Sequence, residues 1–304
     1  MMEKPGCIKE KRDAGYRKSL LQIHIAVFFL GLSALAGKWS SQNALVLTFA
    51  RVWISSPALL LYLLLRRFPL RLHCRRDYGA MALLGALWAA HWITFLHSAQ
   101  AATVAIATIT FSTYPVFVTF FEPWLFRERL RPGAVIQALI MLAGAAVLVP
   151  WGDQQGDLLP GFLWGMVASV LHAAIVLINR RMVKDYPGEL VAFYSQSAAA
   201  ILLLSAGLIL KPVLAPLDWA AVLVLGLGCS ALAQALVGCG LKRVKAQTLS
   251  LIGGLESVYG ILLAAILLGQ PPTLREVIGG TVVLGVSLYA TLKKGAQQSQ
   301  IEAA

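Results

Sequence analysis

Long apolar runs alternate with short polar clusters along almost the whole chain. A bilayer core of about 30 Å takes about 20 residues of helix to cross, and several runs reach that length without a charged side chain. Ser19–Gly37 is the first such run. Tyr78–Phe121 is also free of charge but too long for one helix, so we expect it to fold back near Ser98–Ala101. The pattern predicts an all-α integral membrane protein with ten transmembrane helices.

The ten predicted spans are joined by short connections, which leave no room for a soluble domain. The spans cover residues 19–37, 43–65, 78–98, 101–126, 133–150, 158–179, 190–210, 219–240, 246–268 and 274–292. The first and last segments, 1–18 and 293–304, are predicted to be polar tails. We expect no signal peptide, because the basic N-terminal tail leads into a span of full length.

Basic residues are distributed very unevenly between the two ends of these spans. Of the 26 Lys and Arg residues, 22 lie at the end that carries both termini. The opposite end holds only Lys38, Lys211 and Arg275, and Arg51 falls inside the second span. Because cytoplasmic loops are enriched in Lys and Arg, the sequence predicts that both termini are cytoplasmic. The location expected is the bacterial inner membrane.

The composition excludes several classes of protein. Hydrophobic residues make up 58% and charged residues 13%, with a mean hydropathy of +0.73, so lipid rather than water must be the main solvent. The net charge of +12 lies in interfacial clusters, so we expect no nucleic acid partner. The chain has no phosphate-binding loop, no zinc-binding His-Glu-x-x-His pair and no nucleophile elbow, so no catalytic residue, cofactor or metal is predicted.

An internal repeat is suggested by a shift of 142 residues. It places Thr113–Leu130 over Leu255–Pro272, with matching aromatic and aliphatic positions but few identities. Both segments comprise a long span and a tight turn, which carries Glu128 in the first half and Gln270 in the second. Because five is odd, a repeat of five helices would be inverted in the membrane.

The chain resembles the drug/metabolite transporter superfamily in its ten-helix, EamA-type branch. The resemblance rests on Gly31–Lys38, on Arg51 and above all on Ala86–Leu130, with its small Ala and Thr residues, its mid-helix Pro and its final Glu-Arg turn. It implies two inverted five-helix repeats, residues 19–150 and 158–292, around a central cavity. It also implies alternating access, with export of metabolites or amino acids as the usual task. Gln270 departs from the family, which usually has Glu there.

Glu256 is the strongest candidate site residue, because it lies near the middle of the predicted ninth span. An ionisable group at that depth is costly unless it faces water or a partner. Glu256 could bind a proton or a substrate amine, and the alternative is a protonated carboxyl group that only joins helices. Arg51 stays charged, so it must bind a substrate carboxylate, pair with an acid or extend to the interface. The sequence does not decide between these roles.

Four further residues are candidates for the substrate path. They are His91 with Trp88 on the third span, Tyr114 on the fourth, and Gln234 on the eighth. Pro115 is predicted to kink the fourth helix, and the 142-residue shift makes Tyr114 the counterpart of Glu256. Each polar residue could instead serve only in helix packing.

The predicted function is secondary transport, most simply export, of small metabolites such as amino acids or other zwitterions. Protons are an expected coupling partner through Glu256. The alternatives are a cationic drug exporter, which would need only Glu256, and a membrane-embedded transferase. Gly279, Gly280 and Gly285 would allow close helix contact, within the chain or in a homodimer.

Overall fold

The computed structural model describes residues 5–127, 130, 132–148, 158–241, 244 and 252–303. Its helices, in chain order, are α1 (Pro5–Trp39), α2 (Ala44–Leu65), α3 (Arg75–Ala101), α4 (Val104–Phe111), α5 (Tyr114–Phe126), α6 (Pro132–Val147), α7 (Leu158–Met182), α8 (Gly188–Leu210), α9 (Pro216–Leu223), α10 (Ala233–Leu241), α11 (Leu255–Leu267) and α12 (Leu274–Ala303). A π-helical segment, Val224–Leu232, joins α9 to α10.

Within the part of the chain that the structure describes, these helices correspond to the ten predicted spans. The pair α4 and α5 makes the fourth span, and α9, the π-helical segment and α10 together make the eighth. Among the described residues, seven spans are long and apolar enough to cross a membrane, and α6 and α11 are shorter apolar helices. The ten-helix, all-α prediction is therefore confirmed.

Several predicted boundaries differ from the observed ones by a few residues. The fold-back expected near Ser98–Ala101 lies at residues 102–103, where Thr103 caps α4 by accepting a hydrogen bond from the amide of Ile106. The first and tenth helices extend beyond their predicted spans, because the polar tails continue the helices. Glu128 and the first residues predicted for the ninth span lie outside the described residues.

Two backbone features support the 142-residue repeat. The fourth span is interrupted at Ser112–Thr113, and the ninth is interrupted at Gly254, the counterpart of Ser112. The turns that end α5 and α11 also correspond, because Arg127 (φ 54°) and Gly269 (φ 61°) both adopt the left-handed conformation. This conformation is a common way to end a helix.

Glycines allow pairs of spans to approach closely. A Cβ on Gly31 would lie 2.8 Å from the carbonyl oxygen of Glu256, so α1 and α11 touch backbone to backbone. A Cβ on Gly279 would lie 2.7 Å from the carbonyl oxygen of Gly144, which joins α12 to α6 in the same way. Small residues at such contacts let helices pack by van der Waals contact, which is a main source of attraction between helices in lipid.

Candidate functional site

The interruption of the fourth span follows from Pro115, whose ring nitrogen has no hydrogen to donate to the carbonyl of Phe111. Ser169 of α7 replaces the missing donor, because its hydroxyl lies 3.3 Å from that carbonyl oxygen. The same hydroxyl is 3.0 Å from the hydroxyl of Thr113. The predicted kink is thus a two-residue break between α4 and α5, stabilised by a neighbouring helix.

The interruption of the ninth span lies against that of the fourth. The hydroxyls of Ser112 and Ser257 are 2.8 Å apart, and Ser257 also donates to the carbonyl of Thr108 at 3.2 Å. Tyr114 begins α5, and Glu256 lies in the first turn of α11. The two residues that the sequence paired by the 142-residue shift therefore occupy the same position after the two breaks. Broken helices at a repeat interface are a typical place for substrate sites in inverted-repeat carriers.

Arg51 is almost completely buried, with 3% of its surface exposed. Its Nε donates to the Ser230 hydroxyl at 2.6 Å, and its Nη1 donates to the Ser33 hydroxyl at 3.0 Å. The guanidinium carbon lies 4.3 Å from the ring centre of Trp92, a cation–π contact. Arg51 therefore does not extend to the interface, which removes that alternative.

The π-helical segment positions one of these partners. The Ser230 hydroxyl donates to the carbonyl of Leu225, five residues earlier, at 2.9 Å. A side chain on Gly226 would collide with Ile54, and one on Gly228 would collide with the ring of Phe29. The segment can therefore approach α1 and α2 closely enough to reach Arg51. Single π-helical turns often occur at functional sites.

Glu256 supplies the opposite charge. Its side chain is half-buried, in the first turn of α11, where the backbone of Glu256 packs against Gly31 of α1. The two described side chains of Arg51 and Glu256 nevertheless form no ion pair of 4.0 Å or less with each other. The alternative in which Arg51 pairs directly with this acid is thus not what the structure shows.

Aromatic side chains from three spans surround the first break. His172 of α7 lies at the centre of this aromatic cluster, with ring centroids 4.8 Å from Tyr114, 4.9 Å from Phe111, 5.0 Å from His91 and 5.6 Å from Trp88. Nδ1 of His91 is 3.0 Å from the carbonyl of Ala168, whereas Nδ1 of His172 is buried and has no hydrogen-bond partner among the residues that the structure describes.

The remaining candidate from the sequence, Gln234, lies outside this aromatic cluster. Gln234 is half-buried on α10 and forms no hydrogen bond with the described residues. His172, Trp92, Ser33 and Ser230 were not among the residues that the sequence singled out. Aligning the predicted spans by their depth in the membrane could have suggested His172. Trp92, Ser33 and Ser230 could not be found in this way, because tertiary packing decides which helix faces point toward Arg51.

The end of the bundle opposite both termini is closed by hydrogen bonds between its connections. The buried carboxylate of Asp218 accepts from the Ser40 hydroxyl at 2.6 Å, from the Ser41 amide at 2.9 Å and from Gln42 at 3.1 Å. A second buried carboxylate, Glu276, accepts from Thr103. These hydrogen bonds join the connection after α1 to α9, and the connection after α3 to α12.

Comparison with known proteins agrees with this architecture. The model of the EamA-like transporter family matches residues 17–149 and 159–291, two repeats whose starts are 142 residues apart. A solved protein structure with 23% sequence identity superimposes with a TM-score of 0.64, over 90% of this chain and 96% of that one.

Two curated relatives are transporters by name. The aromatic amino acid exporter YddG of Ancylobacter novellus is 28% identical over 217 residues, which are 69% of this chain and 74% of the relative. A probable biotin transporter of Pseudomonas aeruginosa is 29% identical over 219 residues, 69% and 76% of the two chains. With both repeats matched by the family model, the chain is a multi-pass membrane transporter, not an enzyme, and it belongs to the EamA-like transporter family.

Proposed function

We propose that this transporter exports amino acids or similar small zwitterions across the bacterial inner membrane, with both termini in the cytoplasm. The observation that carries the proposal is the arrangement of Arg51 and Glu256. The two residues form no ion pair with each other, and α1 contacts both of them: Ser33 accepts a hydrogen bond from Arg51, and Gly31 touches the backbone of Glu256, which follows the break in the ninth span.

A zwitterion complements both charges at once. Its carboxylate matches the planar guanidinium of Arg51, where Nη2 has no hydrogen-bond partner among the described residues. Its ammonium group matches the carboxylate of Glu256. A purely cationic drug would meet the buried positive charge of Arg51 at the same site, which argues against the drug-exporter alternative.

Alternating access gives the two ends of the bundle different roles. The hydrogen bonds of Asp218 and Glu276 close the end opposite both termini, which under the proposed orientation faces the outside. Release of substrate requires this end to open while the other end closes. Glu256 supplies the coupling in this proposal, because a carboxyl group can take up a proton whenever the substrate ammonium leaves.

Transport by purified full-length protein in liposomes tests the proposal. We expect radiolabelled amino acids to be exchanged, with a dependence on the pH gradient, and a cationic dye of similar size to be left untransported. The same protein with an Arg51→Ala change serves as the inactive control. Transport of the dye but of no amino acid would contradict the proposal, and so would transport of biotin alone, since biotin has a carboxylate but no ammonium group.

A further inference from the structure

We infer that the aromatic cluster holds the side chain of the substrate and selects a ring that carries an N–H or O–H donor, such as an indole or a phenol, with His172 as the acceptor of that hydrogen bond. The inference rests on the proposed function, which accounts only for the charged groups of the substrate. The cluster is formed by Trp88, His91, Phe111, Tyr114 and His172.

The cluster lies within reach of both charged residues. On one side, Trp88 stacks on Trp92 with ring centroids 4.8 Å apart, and Trp92 lies under Arg51. On the other side, Tyr114 follows the break whose Ser112 hydroxyl contacts Ser257, the residue after Glu256. An amino acid whose charged groups meet Arg51 and Glu256 therefore places its side chain against these rings. Aromatic rings favour other rings, in edge-to-face or offset stacks, over aliphatic groups of similar size.

The neighbouring rings fix the orientation of the His172 imidazole. It meets Trp88, Phe111 and Tyr114 edge-to-face, with interplanar angles of 77°, 79° and 73°. A quarter turn of the ring about its Cβ–Cγ bond would break these three contacts. The plane of the His172 ring is thus held in place before a ligand arrives.

The unpartnered nitrogen of His172 distinguishes it from His91 in the same cluster. Nδ1 of His91 donates to the carbonyl of Ala168, so its hydrogen-bonding requirement is met within the protein. Within the described part of the chain, Nδ1 of His172 is buried without such a partner, which is costly in a protein interior. A substrate N–H or O–H that enters the cluster would satisfy this nitrogen. A site that hydrogen-bonds a polar substrate group rejects the analogue that lacks it.

The test compares tryptophan, tyrosine, phenylalanine and leucine as substrates of the full-length protein in liposomes. The variant His172→Phe keeps an aromatic ring but removes both nitrogens. The matched control is His97→Phe, since His97 also packs edge-on against a tryptophan, Trp164, but is exposed and outside the cluster. Expression and thermal unfolding of both variants check that they fold.

We expect the parent to transport tryptophan and tyrosine with kcat/KM about tenfold above that of phenylalanine, the effect of one hydrogen bond, and to transport leucine more slowly still. His172→Phe should abolish the preference for tryptophan and tyrosine over phenylalanine, so that the ratio of their kcat/KM values to that of phenylalanine falls from about ten to about one.

A parent that transports amino acids without favouring the ring donors would overturn the inference and leave the proposed function standing. A variant that loses all four substrates equally would do the same, because it would assign His172 a structural role. Absence of transport of any amino acid by the parent would overturn both. The control His97→Phe should keep the preference of the parent.

Discussion

Replacing Arg51 by lysine tests whether this buried cation binds a substrate carboxylate. Lysine keeps the positive charge but loses the planar fork of donors. The change removes the hydrogen bonds from Nε to Ser230 and from Nη1 to Ser33, at 2.6 and 3.0 Å, and the stacking of the guanidinium on Trp92. A carboxylate that is held by two parallel bonds from Arg51 would retain at most one strong bond to the lysine ammonium.

The size of the effect follows from the loss of one of these bonds. A hydrogen bond to a charged group contributes about 1.5–3 kcal/mol, and 1.4 kcal/mol corresponds to a factor of ten. Arg51→Lys should therefore raise the KM for an amino acid by about ten- to a hundredfold. The amine that corresponds to this amino acid without its carboxylate should be transported equally by both proteins, or by neither.

Initial rates in liposomes, measured against substrate concentration and normalised to inserted protein, give this KM. The control is Arg66→Lys at the exposed end of α2, where the guanidinium lies 5.8 Å from the ring of Tyr62. It should leave the KM unchanged. If Arg51→Lys also transports the amino acid with the KM of the parent, Arg51 serves helix packing alone and the reasoning is refuted.

Two further predictions concern the closed end and the orientation. Asp218→Asn weakens the hydrogen bonds to Ser40, Ser41 and Gln42, so an impermeant reagent added from outside should label a single cysteine at position 99 about tenfold faster. The exposed control Asp185→Asn should not change this labelling. Equal labelling in Asp218→Asn and the parent would rule out this role for Asp218. In a cysteine-free background, a cysteine at position 213 should be labelled from outside intact cells and one at position 184 only after permeabilisation; the reverse result would invert the proposed topology.

The fold was predictable because the bilayer constrains it strongly. Apolar runs of helix-spanning length gave the ten spans, and the 142-residue shift correctly paired Ser112 with Gly254 and Arg127 with Gly269. Pro115 indicated the kink of the fourth helix. The π-helical segment was not predictable, because it depends on the close packing of Gly226 and Gly228 against α1 and α2 rather than on a local sequence signal.

The site was only partly predictable from the sequence. Charge inside a span identified Arg51 and Glu256, but it could not show that Arg51 bonds to two serines instead of an acid. The role of His172 depends on which rings three different helices bring around it. Span boundaries alone do not fix the rotation of a helix about its axis, so the sequence could not assemble the cluster.

The pH dependence of transport by Glu256→Gln tests the central claim most directly. Glutamine keeps the shape of the side chain and much of its hydrogen bonding but cannot take up a proton or balance a substrate ammonium. The measurement is the initial rate of amino acid transport in liposomes against pH, for the parent and the variant, normalised to inserted protein. We predict that the variant inserts and folds, transports at a small fraction of the parent rate and loses the pH dependence. A variant with the rate and the pH profile of the parent would contradict the claim that Glu256 couples transport to a proton or binds the substrate amine.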